Sequence, residues 1–452
     1  MREAQLVSNV RQDQLTLARR VGRPAGRDTT SSRRLRPPAV FWRLAAALTA
    51  SRLGLFVVPF LAYYMVRGRH LGPAAVALIM MAYGAGWMIG QPAGGYLADR
   101  LGRRFMIVAG NLAAAGAYVG LGIARSLPAM AALAFAVGAS FDAWRPAALA
   151  ILAEAAGSDD RQRQKNMSML YLVMNAPEVA GTVAAGVLAV TVGWMWLFTG
   201  NAIACVVFAA TAIVLVPRSR PASRERRPSR SALRDPLLLA FTALTLLCMT
   251  VYQQSTYALP LRFAGDGIGP VGYAIIAAIN PLTVTVLARP AQHLTDRLPP
   301  VRCFAIGLAL IGAGIALTGA GHGLPWYASL SVIWILGEIA MMGSGPALIT
   351  GLAPSGREAS YTGVWMSTFG LSAVSAAAAG AGLIHVGGLR LLWVSCALAG
   401  LAAAAGCLLL ARPVARRGAV RPVTAAPAPA AAPAVISYPA EGEPAVTVSK
   451  VA

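Results

Sequence analysis

The stretches "GGYLADRLGRR" (residues 94–104) and "AQHLTDRLPPVR" (residues 291–302) are two versions of one pattern. Asp99-Arg100-Leu101 in the first corresponds to Asp296-Arg297-Leu298 in the second, 197 residues further on. Each copy follows one apolar run and precedes another. The pattern therefore marks a repeat, and the repeat divides the chain into two similar halves.

The surroundings of both copies are unusually apolar. Of 452 residues, 57% are hydrophobic and only 12% charged, where a soluble domain carries about 25% charged residues. The mean hydropathy is +0.61. A helix of about 20 apolar residues crosses a bilayer core. Twelve such segments are read, at roughly 43–66, 74–97, 104–124, 128–153, 167–190, 193–216, 236–260, 271–294, 302–321, 326–350, 360–384 and 389–411. Period-two alternation is absent, which argues against a β-barrel. The expected fold is an all-α membrane protein of 12 transmembrane helices in two pseudo-symmetric six-helix bundles. Residues 1–42 form an Arg-rich tail and 43–216 the first bundle. A basic linker occupies 217–235, the second bundle 236–411, and a disordered Ala/Pro-rich tail 412–452.

The net charge of +22 raises the question of nucleic acid. Arginine crowds the first tail and the 217–235 linker, with no aromatic-rich basic domain beside it. Basic segments flanking membrane spans follow the positive-inside rule and touch anionic lipid. The expected partners are the lipid bilayer, protons and a small-molecule substrate, with no nucleic acid, and the chain is expected to act as a monomer. The loops bearing Arg100, Arg103, Arg104, Arg297, Arg302 and Arg357 are assigned to the cytoplasm, which places both termini inside. Only two of the 39 basic residues are lysines, Lys165 and Lys450. That bias, with abundant Ala, Gly and Pro, suggests a GC-rich bacterial genome and an inner-membrane location. No cleavable signal peptide is read in the polar first 40 residues. Cys205, Cys248, Cys303, Cys396 and Cys407 fall in or at the ends of spans without paired spacing, so no disulfide, metal site or cofactor is expected.

"GGYLADRLGRR" resembles the loop 2–3 signature of the major facilitator superfamily, G-x-L-a-D-R-x-G-R-R. The matching positions are Gly95, Leu97, Ala98, Asp99, Arg100, Gly102, Arg103 and Arg104. Twelve spans, the basic central linker and the second copy extend the resemblance over about 43–411. The resemblance implies that Asp99 docks on the start of helix 11 and latches one gate. Glu154, at the same end of segment 4, is the candidate partner for Arg100 or Arg103.

Five ionisable residues fall near the middle of predicted spans: Arg52, Asp142, Arg145, Glu178 and Glu338. Each charge at the centre of an isolated helix costs about 2.5–3.5 kcal/mol on insertion scales, and such residues persist where they pair or face a polar cavity. Asp142 and Arg145, in "SFDAWRPAALA" (140–150), are i,i+3 and share a helix face. Pro146 removes the hydrogen bond to the carbonyl of Asp142, so a break is expected there. An inert kinked salt bridge is the competing reading. Glu338 lies 196 residues after Asp142, which puts acids at equivalent places in the two halves, facing one central cavity. A carboxylate that titrates near neutral pH can carry a proton, so Asp142, Glu178 and Glu338 are proton-site candidates. Arg52 either tunes a neighbouring acid or binds an anionic substrate group. Gln253, Gln254 and Asn280 add polar walls. Tyr83, Trp87 and Gln91, spaced by four, share one face, either as packing or as cavity wall.

The leading expectation is a secondary transporter for proton-coupled efflux of a small organic molecule by alternating access, similar to drug–proton antiporters. Many of these carry G-x-x-x-G-P-x-x-G-G in helix 5. Here "NAPEVAGTVAAG" (175–186) keeps small residues but lacks the Gly-Pro pair, which leaves proton-coupled uptake of a sugar, peptide or amino acid as the alternative. No hydrolase, metalloprotease or ATP-binding motif is present, and no enzyme activity is expected.

Overall fold

The computed structural model describes residues 39–148, 151, 160–216, 232–295, 297–354 and 357–420. Among these every regular element is helical. The spans, numbered as the segments above, run antiparallel to one another in two bundles. Spans 2, 3, 6, 9 and 10 are continuous, as Pro73–Leu101, Arg103–Ile123, Met195–Leu215, Pro300–Leu317 and Leu324–Leu352. Spans 5 and 8 are Asp160–Thr191 and Pro270–Thr295. Spans 11 and 12 form one helical run, Glu358–Leu409, divided by non-helical Gly387 and Gly388. Gly388 has φ +68°, a left-handed conformation that side-chain-bearing residues resist. Several spans begin with a proline in the first turn, including Pro73, Pro236 and Pro300. The missing N–H costs nothing there, since the first helical N–H groups have no partner within the helix.

Three spans are discontinuous. Span 1 is Ala39–Leu53 followed by Val57–Arg67. Span 7 is Pro236–Tyr252, a 3-10 turn at Gln253–Ser255, then Ala258–Gly265. Spans 1 and 7 are equivalent in the repeat, and both are broken, at 54–56 and at 253–257. Span 4 stops at Phe141 and resumes at 145–148. The carbonyl of Asp142, which Pro146 cannot engage, accepts instead from the N–H of Arg145 at 3.0 Å. The break expected from Pro146 is present. The breaks in spans 1 and 7 were not expected, although each precedes a proline, Pro59 and Pro260, that cannot bond the carbonyl four residues back, of Leu55 and Thr256.

The halves meet through span 2 against span 11, span 5 against span 8, and the second parts of spans 1 and 7 against each other. Gly370 of span 11 allows the first contact: a Cβ there would sit 2.7 Å from the Cα of Met88. Fastening is concentrated at one end. Tyr63 donates to the carbonyl of Ile268, Tyr273 to that of Pro59 at 2.6 Å, and Tyr257 to that of Pro73 at 3.1 Å. The rings of Tyr63 and Tyr273 stack with centroids 4.4 Å apart. This aromatic end is opposite the basic end, which carries Arg100, Arg103, Arg104, Arg302 and Arg357.

The chain does not leave helical structure at residue 412. Ala411–Val420 is a further helix lying across the basic end. Residues 421–452, with the rest of the expected tail, lie outside the described residues.

Candidate functional site: a charged cavity between the halves

A cavity of about 650 Å³ lies between the bundles, beneath the aromatic fastening. That volume is in the range of small-molecule sites. Its walls bring together most of the residues singled out in the sequence: Arg52, Asp142, Arg145 and Glu178 from the first half, and Gln253, Asn280 and Glu338 from the second.

The first-half wall is a chain of ion pairs. Arg145 Nη2 lies 2.7 Å from Asp142 Oδ2. The other carboxylate oxygen, Oδ1, is 3.7 Å from Arg52 Nη2, and Arg52 Nη1 donates to Glu178 Oε2 at 3.5 Å. Asp142 is 1% exposed and Arg52 5%. The guanidinium carbon of Arg52 also lies 5.9 Å from the ring centroids of Phe141 and Trp144. Two arginines and two acids give this wall no formal net charge. Arg145 is therefore bonded to Asp142, yet its side chain is 35% exposed and reaches the cavity.

The second-half wall is different. Glu338 Oε2 accepts from Tyr252 Oη at 2.9 Å and from Asn280 Nδ2 at 3.1 Å. Asn280 also donates to Tyr252 Oη at 3.1 Å. These partners are neutral. Glu338 has no basic partner among the described residues. Trp334, one turn earlier on span 10, lines the cavity beside it.

The broken helices position both walls. Asn201 of span 6, 2% exposed, accepts from the N–H groups of Phe56 and Val57 at 3.2 and 3.0 Å. It thereby caps the second part of span 1, just beyond Arg52. In span 7, Gln254 of the 3-10 turn donates to the carbonyl of Ala376 in span 11 at 2.9 Å. Its side chain is thus turned into span 11, whereas Gln253 lines the cavity. Tyr83 and Trp87 line the cavity, whereas Gln91 lies beyond its wall. Asn201, Tyr63 and Tyr273 carried no distinguishing sequence signal: an Asn or Tyr in an apolar run looks the same whether or not it holds a broken helix.

The loop 2–3 motif has a local rationale. Gly102 takes φ +97° between spans 2 and 3 and donates to Ala98. Gly95 faces the ring of Pro146, where an added Cβ would lie 3.5 Å from the proline Cβ. The motif and the span 4 break are therefore neighbours. Arg100 lies over the ring of Tyr96, 4.4 Å from its centroid. The expected docking of Asp99 on span 11 is not formed. Asp99 is exposed, and among the described residues no hydrogen bond or ion pair joins it to the start of span 11. There Tyr361 donates instead to Asp235 at 2.7 Å. Fastening at the aromatic end leaves the basic ends of the two halves free of this latch. Arg103 and Arg104 are half-buried. Glu154, the expected acid for Arg100 or Arg103, lies outside the described residues.

The family model described as Major Facilitator Superfamily matches residues 44–269 and 255–442, covering both halves. The chain belongs to the major facilitator superfamily. A Bacillus subtilis (strain 168) protein named as the uncharacterized MFS-type transporter YqjV is 22% identical over 339 residues, 72% of this chain and 79% of that one. A second, YttB of the same organism, is 22% identical over 310 residues, 65% and 76% of the two chains. Among solved structures, peptide transporter POT in complex with sulfate superposes with a TM-score of 0.70 at 18% identity, over 84% of this chain and 95% of that one. A variant of nucleoside transporter NupG gives 0.67 at 13%, over 84% and 99%. At these identities the likeness is one of fold. The chain is a multi-pass membrane transporter of this superfamily.

Proposed function

We propose that this chain is a proton-coupled exporter of small organic molecules, in a bacterial inner membrane with the basic end in the cytoplasm. The observation that carries this reading is Glu338, a cavity carboxylate held by neutral donors alone. The first-half wall is formally neutral, so the ionised cavity holds one unmatched negative charge. A proton on Glu338 neutralises it. So does a cationic group on a solute. The two cannot occupy the same oxygen, and competition between them is the physical content of exchange.

The cost of burying charge then couples the fluxes. Moving an unmatched carboxylate through a closed, water-poor intermediate costs several kcal/mol. The transporter would therefore interconvert between its open forms with Glu338 either protonated or paired with solute. Aromatic and apolar walls from Trp87, Phe141, Tyr252 and Trp334 suit a lipophilic body attached to that cation. With the basic end inside, the fastened aromatic end corresponds to a closed outer gate and an inward-facing cavity, with the Asp99 latch undone.

Everted membrane vesicles test this reading. Under an acid lumen, a panel of fluorescent organic cations should accumulate inside, and accumulation should collapse when the pH gradient is dissipated. Accumulation only under an alkaline lumen would make the protein a symporter working in uptake. Flux indifferent to either gradient would overturn proton coupling altogether.

A further inference from the structure

The helix Ala411–Val420 has two chemically distinct faces. Ala411, Val414 and Arg417 follow i, i+3, i+6 spacing on the inner side. Leu410, Ala411 and Val414 pack against the core of the second half. Arg417 donates through Nη1 to Asp235 Oδ2 at 2.7 Å and through Nη2 to Asp235 Oδ1 at 3.1 Å. Asp235 is itself committed. It caps span 7 by accepting from the N–H groups of Leu237 and Leu238 at 3.0 and 3.4 Å, and it accepts from Tyr361 at the start of span 11. The bidentate clasp therefore fixes the helix across the ends of spans 7 and 11, and fixes which way its other face looks.

That other face presents Arg412 and Arg416, four residues apart and both exposed. No acid among the described residues pairs with either. The helix begins where span 12 ends, so this face lies at the depth of lipid headgroups. An amphipathic helix with arginines on its polar side is suited to that layer. Guanidinium groups fit phosphate oxygens bidentately.

We infer that Arg412 and Arg416 form a docking surface for the phosphate of an anionic phospholipid, held in register by the Arg417–Asp235 clasp. The partner is an anionic lipid because a zwitterionic headgroup offsets its own phosphate, whereas a headgroup with net negative charge leaves it for the arginines. Each arginine near an anionic surface contributes roughly a fivefold preference. A lipid seated there would tie the ends of spans 7, 11 and 12 to the bilayer at the end where the halves must part and close.

The test is native mass spectrometry of the full chain released from nanodiscs containing equal phosphatidylcholine and phosphatidylglycerol. Wild type should retain phosphatidylglycerol preferentially. Arg412→Gln/Arg416→Gln should reduce that preference at least fivefold, and Arg412→Lys/Arg416→Lys should keep most of it. Hydrogen exchange over 411–420 separates lost binding from an unwound helix: unchanged protection with lost preference supports the inference. If the helix unwinds in the Gln variant, retained preference in the Lys variant with intact protection supports it and lost preference there overturns it. An unchanged preference in the Gln variant overturns the inference. So does displacement of the lipid by millimolar inorganic phosphate, which would mean a site for free anions.

Discussion

The guanidinium of Arg52 and the carboxylate of Asp142 stand 3.7 Å apart, each beside the point where its own membrane span breaks. Irregular backbone at membrane depth is tolerated only inside protein or against a water-filled cavity. Here the freed backbone groups find local partners. Asn201 takes the N–H groups of Phe56 and Val57, and Arg145 N–H takes the carbonyl of Asp142. The side chains are then free to neutralise one another across the gap. Helix discontinuity and buried charge are thus one device, seen from the backbone and from the side chain.

That coupling predicts unequal effects within the ion-pair chain. Removing one member of a buried pair strands the other and costs about 3–5 kcal/mol. Asp142→Asn strands Arg52 and Arg145 together and should give the largest loss of thermal stability in detergent. Arg145→Gln should cost far less, because its side chain is 35% exposed and Arg52 remains to face Asp142. Arg52→Gln combined with Glu178→Gln should be milder than Arg52→Gln alone. Melting temperatures read by tryptophan fluorescence would show the order. An Asp142→Asn protein as stable as wild type would refute it.

Glu338 should separate binding from coupling. Glu338→Gln keeps a hydrogen-bond acceptor for Tyr252 and Asn280 but carries no proton. It should abolish gradient-driven accumulation of organic cations while leaving downhill flux of neutral solutes measurable. Asn280→Ala should weaken transport without abolishing it, since Tyr252 still holds the carboxylate. Gradient-driven flux at the wild-type rate in Glu338→Gln would move the proton site to the first-half wall.

Much of this site was legible in the sequence for a definite reason. Charges in a membrane span are costly, so Arg52, Asp142, Arg145, Glu178 and Glu338 could be there only to meet one another or a cavity, and the repeat placed Asp142 and Glu338 opposite each other. Pro146 announced its own break. The breaks in spans 1 and 7 had a marker that was not read, Pro59 and Pro260 just after them, while the acceptor for the freed N–H groups of span 1, Asn201, comes from another span. The Asp99 latch was expected and is not formed for another reason: a motif describes a residue used in one conformation, and this structure has the opposite end fastened. Arg417 was hidden in a tail whose Ala/Pro-rich remainder dominated its composition.

Asn201 should behave as a positioning residue. Asn201→Ala leaves the buried N–H of Val57 without an acceptor and the N–H of Phe56 with the Gly54 carbonyl alone, at about 1–3 kcal/mol for such a loss. Hydrogen exchange should rise at Phe56 and Val57 before it rises elsewhere in span 1. Transport should slow because Arg52, just before the break, loses its fixed depth, whereas Asn201→Asp, which keeps the acceptor, should retain local protection. Uniform exchange across span 1 in the Ala variant would assign Asn201 to general packing.

The aromatic fastening predicts a shift in conformational balance. Tyr273→Phe deletes the bond to the Pro59 carbonyl but keeps the stack on Tyr63. A net hydrogen bond contributes about 0.5–1.5 kcal/mol, enough to raise the population opened at that end several-fold. Cysteine pairs carrying spin labels near residues 67 and 265 should report longer distances in Tyr273→Phe. Tyr63→Phe should act in the same direction, and the double variant more strongly. Unchanged distances in the double variant would show that helix packing alone closes this end.

Asp235 gives a pH dependence whose sign is fixed. Burial pushes its carboxyl up, but the bonds from Arg417, then Tyr361, then the N–H groups of Leu238 and Leu237 outweigh burial and hold it below the ordinary Asp value. The folded form therefore binds the proton less readily than the unfolded one, so the clasp contributes stability in full above the unfolded pKa of about 3.9. That contribution declines as pH falls through the lower folded value. Protection of 411–420 against hydrogen exchange, corrected for the intrinsic rate, should stay level from neutral pH down to about 4 and drop only under stronger acid. In Asp235→Asn it should be low at every pH, because the neutral amide offers one acceptor to a guanidinium that used two. A loss of protection already near pH 6 in wild type would mean that a histidine or a buried acid elsewhere, rather than Asp235, governs the clasp.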